Sequence, residues 1–209
     1  MKKFSSHPAT TLVELIIFLA IFALSSGVLL AFFFSTSEQR LRQQTIATVE
    51  QSGLQVMQTI GMQIRASERI LSPDPGSTGS ILALQTDDPD LNPTVIGIAS
   101  GAVVVGQAAT LSTVSSPDVT IGNFIVRAVS VSASRASVLV RFTVSRTIPL
   151  PEFPVFRRDF ETVFPLFPDD SEGGNSCGCS SPSCVGNAYR WEYCPSDTCL
   201  TSPVTIPCG

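Results

Sequence analysis

The sequence predicts an α+β protein. A long N-terminal helix, first transmembrane and then amphipathic, packs on an antiparallel β-sheet, and a disulfide-rich C-terminal module follows. Three observations carry this reading. An uncharged apolar run extends from Leu15 to Phe34, and helical spacing continues without proline to Leu71. Residues 80 to 148 switch to an alternation of period two. All six cysteines fall between Cys177 and Cys208.

Residues 1–9, MKKFSSHPA, form a short basic leader. Lys2 and Lys3 hold that end in the cytoplasm by the positive-inside rule. Residues 10–35 are the expected transmembrane segment, because about 20 apolar residues at 1.5 Å each cross one hydrocarbon core. A secretory signal peptide has an apolar region of only about 7–15 residues, so an anchor fits better. No cysteine lies near the run, which excludes a lipidated-cysteine signal.

Residues 36–72 are expected to carry the helix out of the membrane. Ile46, Val49, Val56, Ile60 and Ile64 recur at helical spacing with Met57 beside them, while Glu38, Arg42, Gln43, Glu50, Gln51, Gln58 and Glu68 take the other face. Gly53 and Gly61 weaken this helix by about 1 kcal/mol each relative to alanine, so packing of the apolar face has to compensate. Ser72-Pro73-Asp74-Pro75-Gly76 ends it.

Residues 80–168 form the expected sheet domain. Val138, Val140, Phe142 and Val144 alternate with Leu139, Arg141, Thr143 and Ser145, the pattern of a half-buried strand. Ile81–Gln85, Thr94–Ala99, Ala102–Gln107 and Phe124–Val131 are further strands, separated by turn sequences at Asp87-Asp88-Pro89, Ser100-Gly101, Ser116-Pro117-Asp118 and Gly122-Asn123. Short strands with short turns favour an antiparallel meander, and the amphipathic helix is the natural cover for its apolar face. The proline- and phenylalanine-rich segment 149–170 reads as a last or edge strand, with Arg157 and Arg158 solvated. Residues 169–176 read as a linker.

The module spans residues 177–209. Its cysteines, Cys177, Cys179, Cys184, Cys194, Cys199 and Cys208, contain no Cys-x2-Cys pair and no histidine. Disulfide staples are therefore expected in place of zinc, and the spacing leaves the connectivity open. Tyr189, Trp191 and Tyr193 alternate with Arg190 and Glu192, so the three rings would share one strand face. They form either a miniature core or an exposed binding surface for glycan or protein.

Composition narrows the function classes. The formal charge is −4, and loss of Lys2 and Lys3 with a leader would make it −6. An acidic chain whose only lysines lie in the leader is a poor phosphate binder, so no nucleic-acid partner is expected. The single histidine, His7, is also in the leader. Without it the commonest general base is missing; no catalytic residues, resident metal or cofactor are expected, and the protein does not read as an enzyme. Asp87, Asp88 and Asp90 lack the glycine and glutamate positions of an EF-hand loop and read as a solvated turn.

Glu14 is the one charge at the edge of the apolar run. An unpaired carboxylate drawn into hydrocarbon costs a few kcal/mol, so it either reaches water at the headgroups or meets a cation. Cutting between Ala9 and Thr10 would release an α-amino group on Thr10, and a neighbouring copy could offer that amine to Glu14.

The sequence Ala9-Thr10-Thr11-Leu12-Val13-Glu14-Leu15 resembles the prepilin family: type IV pilins, minor pilins and the pseudopilins of type II secretion. Thr11, Leu12, Val13 and Glu14 match the family pattern position by position. Ala9 stands where glycine is usual, and Thr10 where phenylalanine or methionine is usual. The resemblance implies cleavage after Ala9 by a prepilin peptidase, N-methylation of Thr10, and a role for Glu14 in assembly. It also implies packing against other pilin subunits through the N-terminal helix, and contact with a filament assembly platform. Placement would be single-pass in the inner (cytoplasmic) membrane with the N-terminus in the cytoplasm, then in an extracellular or periplasmic filament. More loosely, Arg65-Ala66-Ser67 followed by Leu111–Val126 and Ser137–Arg146 looks like minor pilins and J-type pseudopilins. The expected function is a minor pilin that initiates or tips a type IV pilus. The alternatives are a pseudopilin of a type II secretion system, and an uncleaved signal-anchored surface protein whose module binds a ligand.

Overall fold

The computed structural model describes residues 12–86, 88, 91–132, 135–148, 155–166, 179–194 and 198–208. The chain divides into two units, 1–44 and 45–209. One helix, α1 (Leu12–Arg65), contributes to both.

The described part of the first unit is α1 alone. Phe18, Phe22 and Phe33 are each more than 60% exposed, and every large apolar side chain from Leu12 to Phe34 is more than half exposed. This is one helix long and apolar enough to cross a membrane, and it is compatible with a single span.

In the second unit α1 buries Val49, Val56, Ile60 and Ile64 completely. Those steps of seven, four and four place all four on one stripe. Ile46, expected on that stripe, is 38% exposed. Glycine allows close approach at two places. A Cβ on Gly53 would overlap the ring of Phe160, and one on Gly61 would lie 2.5 Å from Phe164 Cε1. The two glycines that weaken the helix locally are therefore where phenylalanine rings seat against it.

The helix ends at Arg65, short of the expected 72. Ser67 Oγ donates to the Ile64 carbonyl at 2.6 Å, and Ala66 N–H donates to the Met62 carbonyl at 3.0 Å, which satisfies acceptors of the last turn. Residues Ser67–Ser72 then form strand β1, paired with β3 (Leu82–Thr86). Ile70 and Leu71 continue the apolar pattern, and a strand partner decides their conformation against the helical spacing.

The sheet domain is two sheets, where one meander was expected. The first has order β1-β3-β4-β5-β6, with β4 (Thr94–Ala99), β5 (Ala102–Gln107) and β6 (Thr110–Thr113). The β4–β5 hairpin turns on Ser100 and Gly101, both at positive φ (51° and 77°), as a two-residue turn matched to strand twist requires. The second sheet has order β2-β7-β8-β9, with β2 (Thr78–Gly79), β7 (Thr120–Ser132), β8 (Arg135–Thr147) and β9 (Val155–Pro165). All the strand pairings are antiparallel.

One core lies among α1 and the two sheets. It contains Val56 and Ile60 of the helix, Leu84, Ile96 and Val105 of the first sheet, and Val126, Val140 and Phe142 of the second. Phe142 stacks on Phe160 with ring centroids 5.5 Å apart. Arg158, read as solvated, donates to Glu50 of α1 at 2.6 Å. Both side chains are about half exposed, so the pair is worth at most about 1 kcal/mol.

Candidate functional site

Two regions carry the functional expectations. In the first unit Glu14 lies in the first turn of α1 and is exposed. Acidic groups are favoured there because the helix N-terminus carries partial positive charge. Ala9 and Thr10, the expected cleavage and methylation positions, lie outside the described residues, as does the leader. From Leu12 to Phe34 the apolar side chains find no cover within the helix itself, and each of the large ones is at least half exposed.

In the second unit the cysteine-rich segment folds as small strands: β10 (Ser183–Val185), β11 (Ala188–Arg190), β12 (Glu192–Tyr193), β13 (Leu200–Thr201) and β14 (Ile206–Pro207). Strands β10-β11-β14 make one sheet and β12-β13 another. Disulfides join Cys179 to Cys199 and Cys184 to Cys208. Cys194 is also disulfide-bonded. Cys177 and the linker 169–176 lie outside the described residues. The Sγ atoms of Cys179 and Cys199 cluster with the Glu192 carboxylate within 4.8 Å. Their sulfurs are bonded to each other and unavailable as thiolate ligands, and Glu192 accepts the Ser180 N–H at 2.9 Å.

The three aromatic residues do not share one strand face. Tyr189 is on β11, Tyr193 is on β12 in a different sheet, and Trp191 lies between them. Tyr189 is 4% exposed and Trp191 only 1%, so neither contributes to an open binding surface; Tyr193 is half-buried. Tyr189 and Trp191 are instead the centre of a second core, with Ile206 and with Ile81, Ala83, Val95 and Val104. The last three belong to strands β3, β4 and β5. The module is thus docked on the first sheet, opposite the face that meets α1.

The docking is geometrically specific. Trp191 Nε1 donates to the Ala108 carbonyl at 2.9 Å. The indole covers Gly106, where a Cβ would come within 2.7 Å of its six-membered ring, and Ile206 covers Gly97, where a Cβ would lie only 2.9 Å from Ile206 Cγ2. Burial pushes the Tyr189 phenol above its ordinary range, partly offset by a hydrogen bond with Ser72. Gly97, Gly106, Ala108 and Ser72 carry no motif that announces this role. The signal present in the sequence was the doubly apolar character of Thr94–Ala99 and Ala102–Gln107, which exceeds a simple alternation.

An open hollow on the module is lined by Ser180, Ser183, Val185, Arg190, Glu192 and Thr201, with the buried Trp191 beneath. No family model, curated protein or solved structure matches the chain. The functional reading therefore rests on the residues themselves.

Proposed function

We propose that the chain is a structural subunit of a type IV filament, a minor pilin that initiates or tips the fibre. The observation that carries this reading is the sequence Thr11-Leu12-Val13-Glu14 immediately before a stretch of helix whose apolar residues, Leu15 to Phe34, have no cover of their own. Lipid covers such a surface in the membrane, and the helices of neighbouring subunits cover it in a fibre. Glu14 then pairs with the amino group released on Thr10 of a neighbour, which offsets the cost of carrying either charge into an apolar environment. The prepilin peptidase and the filament assembly platform are the partners this role requires. The docked C-terminal module supports the terminal placement, since bulk on a subunit is easiest to accommodate where no further subunit follows. A pseudopilin of a secretion system uses the same chemistry, and the neighbouring genes distinguish the two.

N-terminal mass spectrometry of membrane-extracted protein is the test. A mature chain beginning at methylated Thr10 is the expected result. Intact Met1 in cells that contain an active prepilin peptidase would sink the proposal.

A further inference from the structure

Strand β9 ends the second sheet, and among the described residues no strand lies along its outer edge. It is 11 residues long, and its register against β8 runs without a bulge from Thr147↔Val155 to Ser137↔Pro165. A long, regular free edge is a template for pairing unless it is blunted.

The phase of the ladder shows which groups are free. Leu166 N–H donates to the Ala136 carbonyl at 2.9 Å, one step beyond the Ser137↔Pro165 pair. Bonding to β8 therefore falls on the even-numbered residues of β9. The odd-numbered residues Val155, Arg157, Asp159, Glu161 and Val163 aim their N–H and C=O groups at the free edge. Pro165 falls in the same set, where its missing N–H costs the β8 ladder nothing.

The same five side chains stand on the face away from the core that Phe156, Phe160 and Phe164 pack against. Val155 is 43% exposed and Val163 is 53% exposed. Read along the strand they run apolar, positive, negative, negative, apolar. Laid antiparallel on itself about Asp159, this series sets Val155 against Val163 at both ends and Arg157 against Glu161 twice. Every one of those residues is edge-facing in both copies, so each pair can also exchange backbone hydrogen bonds. Asp159 alone meets its own kind. It already accepts the Thr143 hydroxyl at 2.6 Å, and Arg157 and Glu161 of the other copy both lie diagonally across from it. Moving the centre to Phe160 sets Asp159 against Glu161 twice. Moving it to Arg158 pairs Arg157 with Asp159 twice but sets both Val155 side chains against Glu161, so only the register about Asp159 matches the apolar ends and the opposite charges together.

We propose that the free edge of β9 pairs with β9 of a second copy of this chain, antiparallel and centred on Asp159, so that two four-stranded sheets become one of eight. Such a contact is isologous and closes on itself. It gives a dimer and does not extend a fibre, and it holds whether or not Thr10 is processed.

Cysteine cross-linking of the full-length chain in membranes tests this. Under mild oxidation Asp159→Cys alone is expected to give a disulfide dimer across the axis. Val155→Cys and Val163→Cys are each expected to remain monomeric alone and to cross-link when co-expressed. Adding Asp159→Pro to that co-expressed pair removes edge N–H groups without touching the β8 ladder, and should lower the dimer at least ten-fold. Equal cross-linking of all single variants, absence of any cross-link, or trapping of a different protein would each overturn the proposal. The 155/163 pair decides the matter should Asp159→Cys disturb folding.

Discussion

The indole N–H of Trp191 donates to the Ala108 carbonyl at 2.9 Å across 83 positions of chain. This bond ties the cysteine-rich segment to the turn between β5 and β6. Trp191→Ala would leave a large cavity in the second core, and a loss of about 3–5 kcal/mol is expected. Trp191→Phe keeps most of the apolar contact but strands a carbonyl, for about 1–3 kcal/mol. Chemical denaturation followed by far-UV circular dichroism would measure both, and a negligible effect of Trp191→Phe would show that the hydrogen bond contributes little.

Gly53→Ala and Gly61→Ala separate local propensity from packing. In an isolated helix each would be stabilising by about 1 kcal/mol. Here the rings of Phe160 and Phe164 occupy the space a methyl group needs, so a net destabilisation of about 1–3 kcal/mol is expected. Combining Gly53→Ala with Phe160→Leu should recover part of the loss. Simple additivity in that double-mutant cycle would contradict the close approach.

Alkaline stability should depend on Tyr189. Its folded-state pKa is raised by burial. The stabilisation from keeping the phenol neutral is fully present below the unfolded value of about 10, and it is lost as pH rises through the folded one. Unfolding free energy should therefore fall above pH 10 in the parent chain. Tyr189→Phe should flatten that fall, which a pH series of melting curves would show.

Peptide mapping without reduction should recover Cys179 linked to Cys199 and Cys184 linked to Cys208. Cys184→Ser with Cys208→Ser should cost about 2–5 kcal/mol. The protein should then become sensitive to proteolysis in the module first, because β14 lies beside Cys208 and covers β4 through Ile206.

Glu14→Ala should leave membrane insertion intact and reduce recovery of the chain in sheared filaments at least ten-fold, if the proposed pairing with the Thr10 amine drives assembly. Unchanged recovery would argue for a carboxylate that serves only at the headgroups.

The sequence read some elements to the residue and others not at all. Thr94–Ala99 and Ala102–Gln107 were legible because Ser100-Gly101 can form a tight turn and the flanking residues are β-branched. β1 was not legible, since Ile70 and Leu71 fit the helical stripe and only the pairing with β3 makes them a strand. Gly53 and Gly61 were visible as weak points, but the rings that need them are more than 100 positions away. The cysteines announced disulfides without naming partners. Tyr189 and Trp191 alternate as an exposed strand would, and only the sheet beneath them shows that they face inward. β9 was expected as an edge; its self-complementary order of charges becomes meaningful once the ladder phase shows which residues face outward.

Strands β3, β4 and β5 are buried on one side by α1 and the second sheet and on the other by residues from the last disulfide-bonded segment. That has a consequence for the order of events during synthesis. The long apolar helix leaves the ribosome first, and the sheet follows with one apolar side still wet. It stays so until Trp191 and Ile206 arrive and Cys208 finds Cys184. A chain interrupted before that point would have its helix and most of its strands yet present a sticky surface to every neighbour. Docking of the last segment is thus the step that separates an aggregation-prone intermediate from the finished fold.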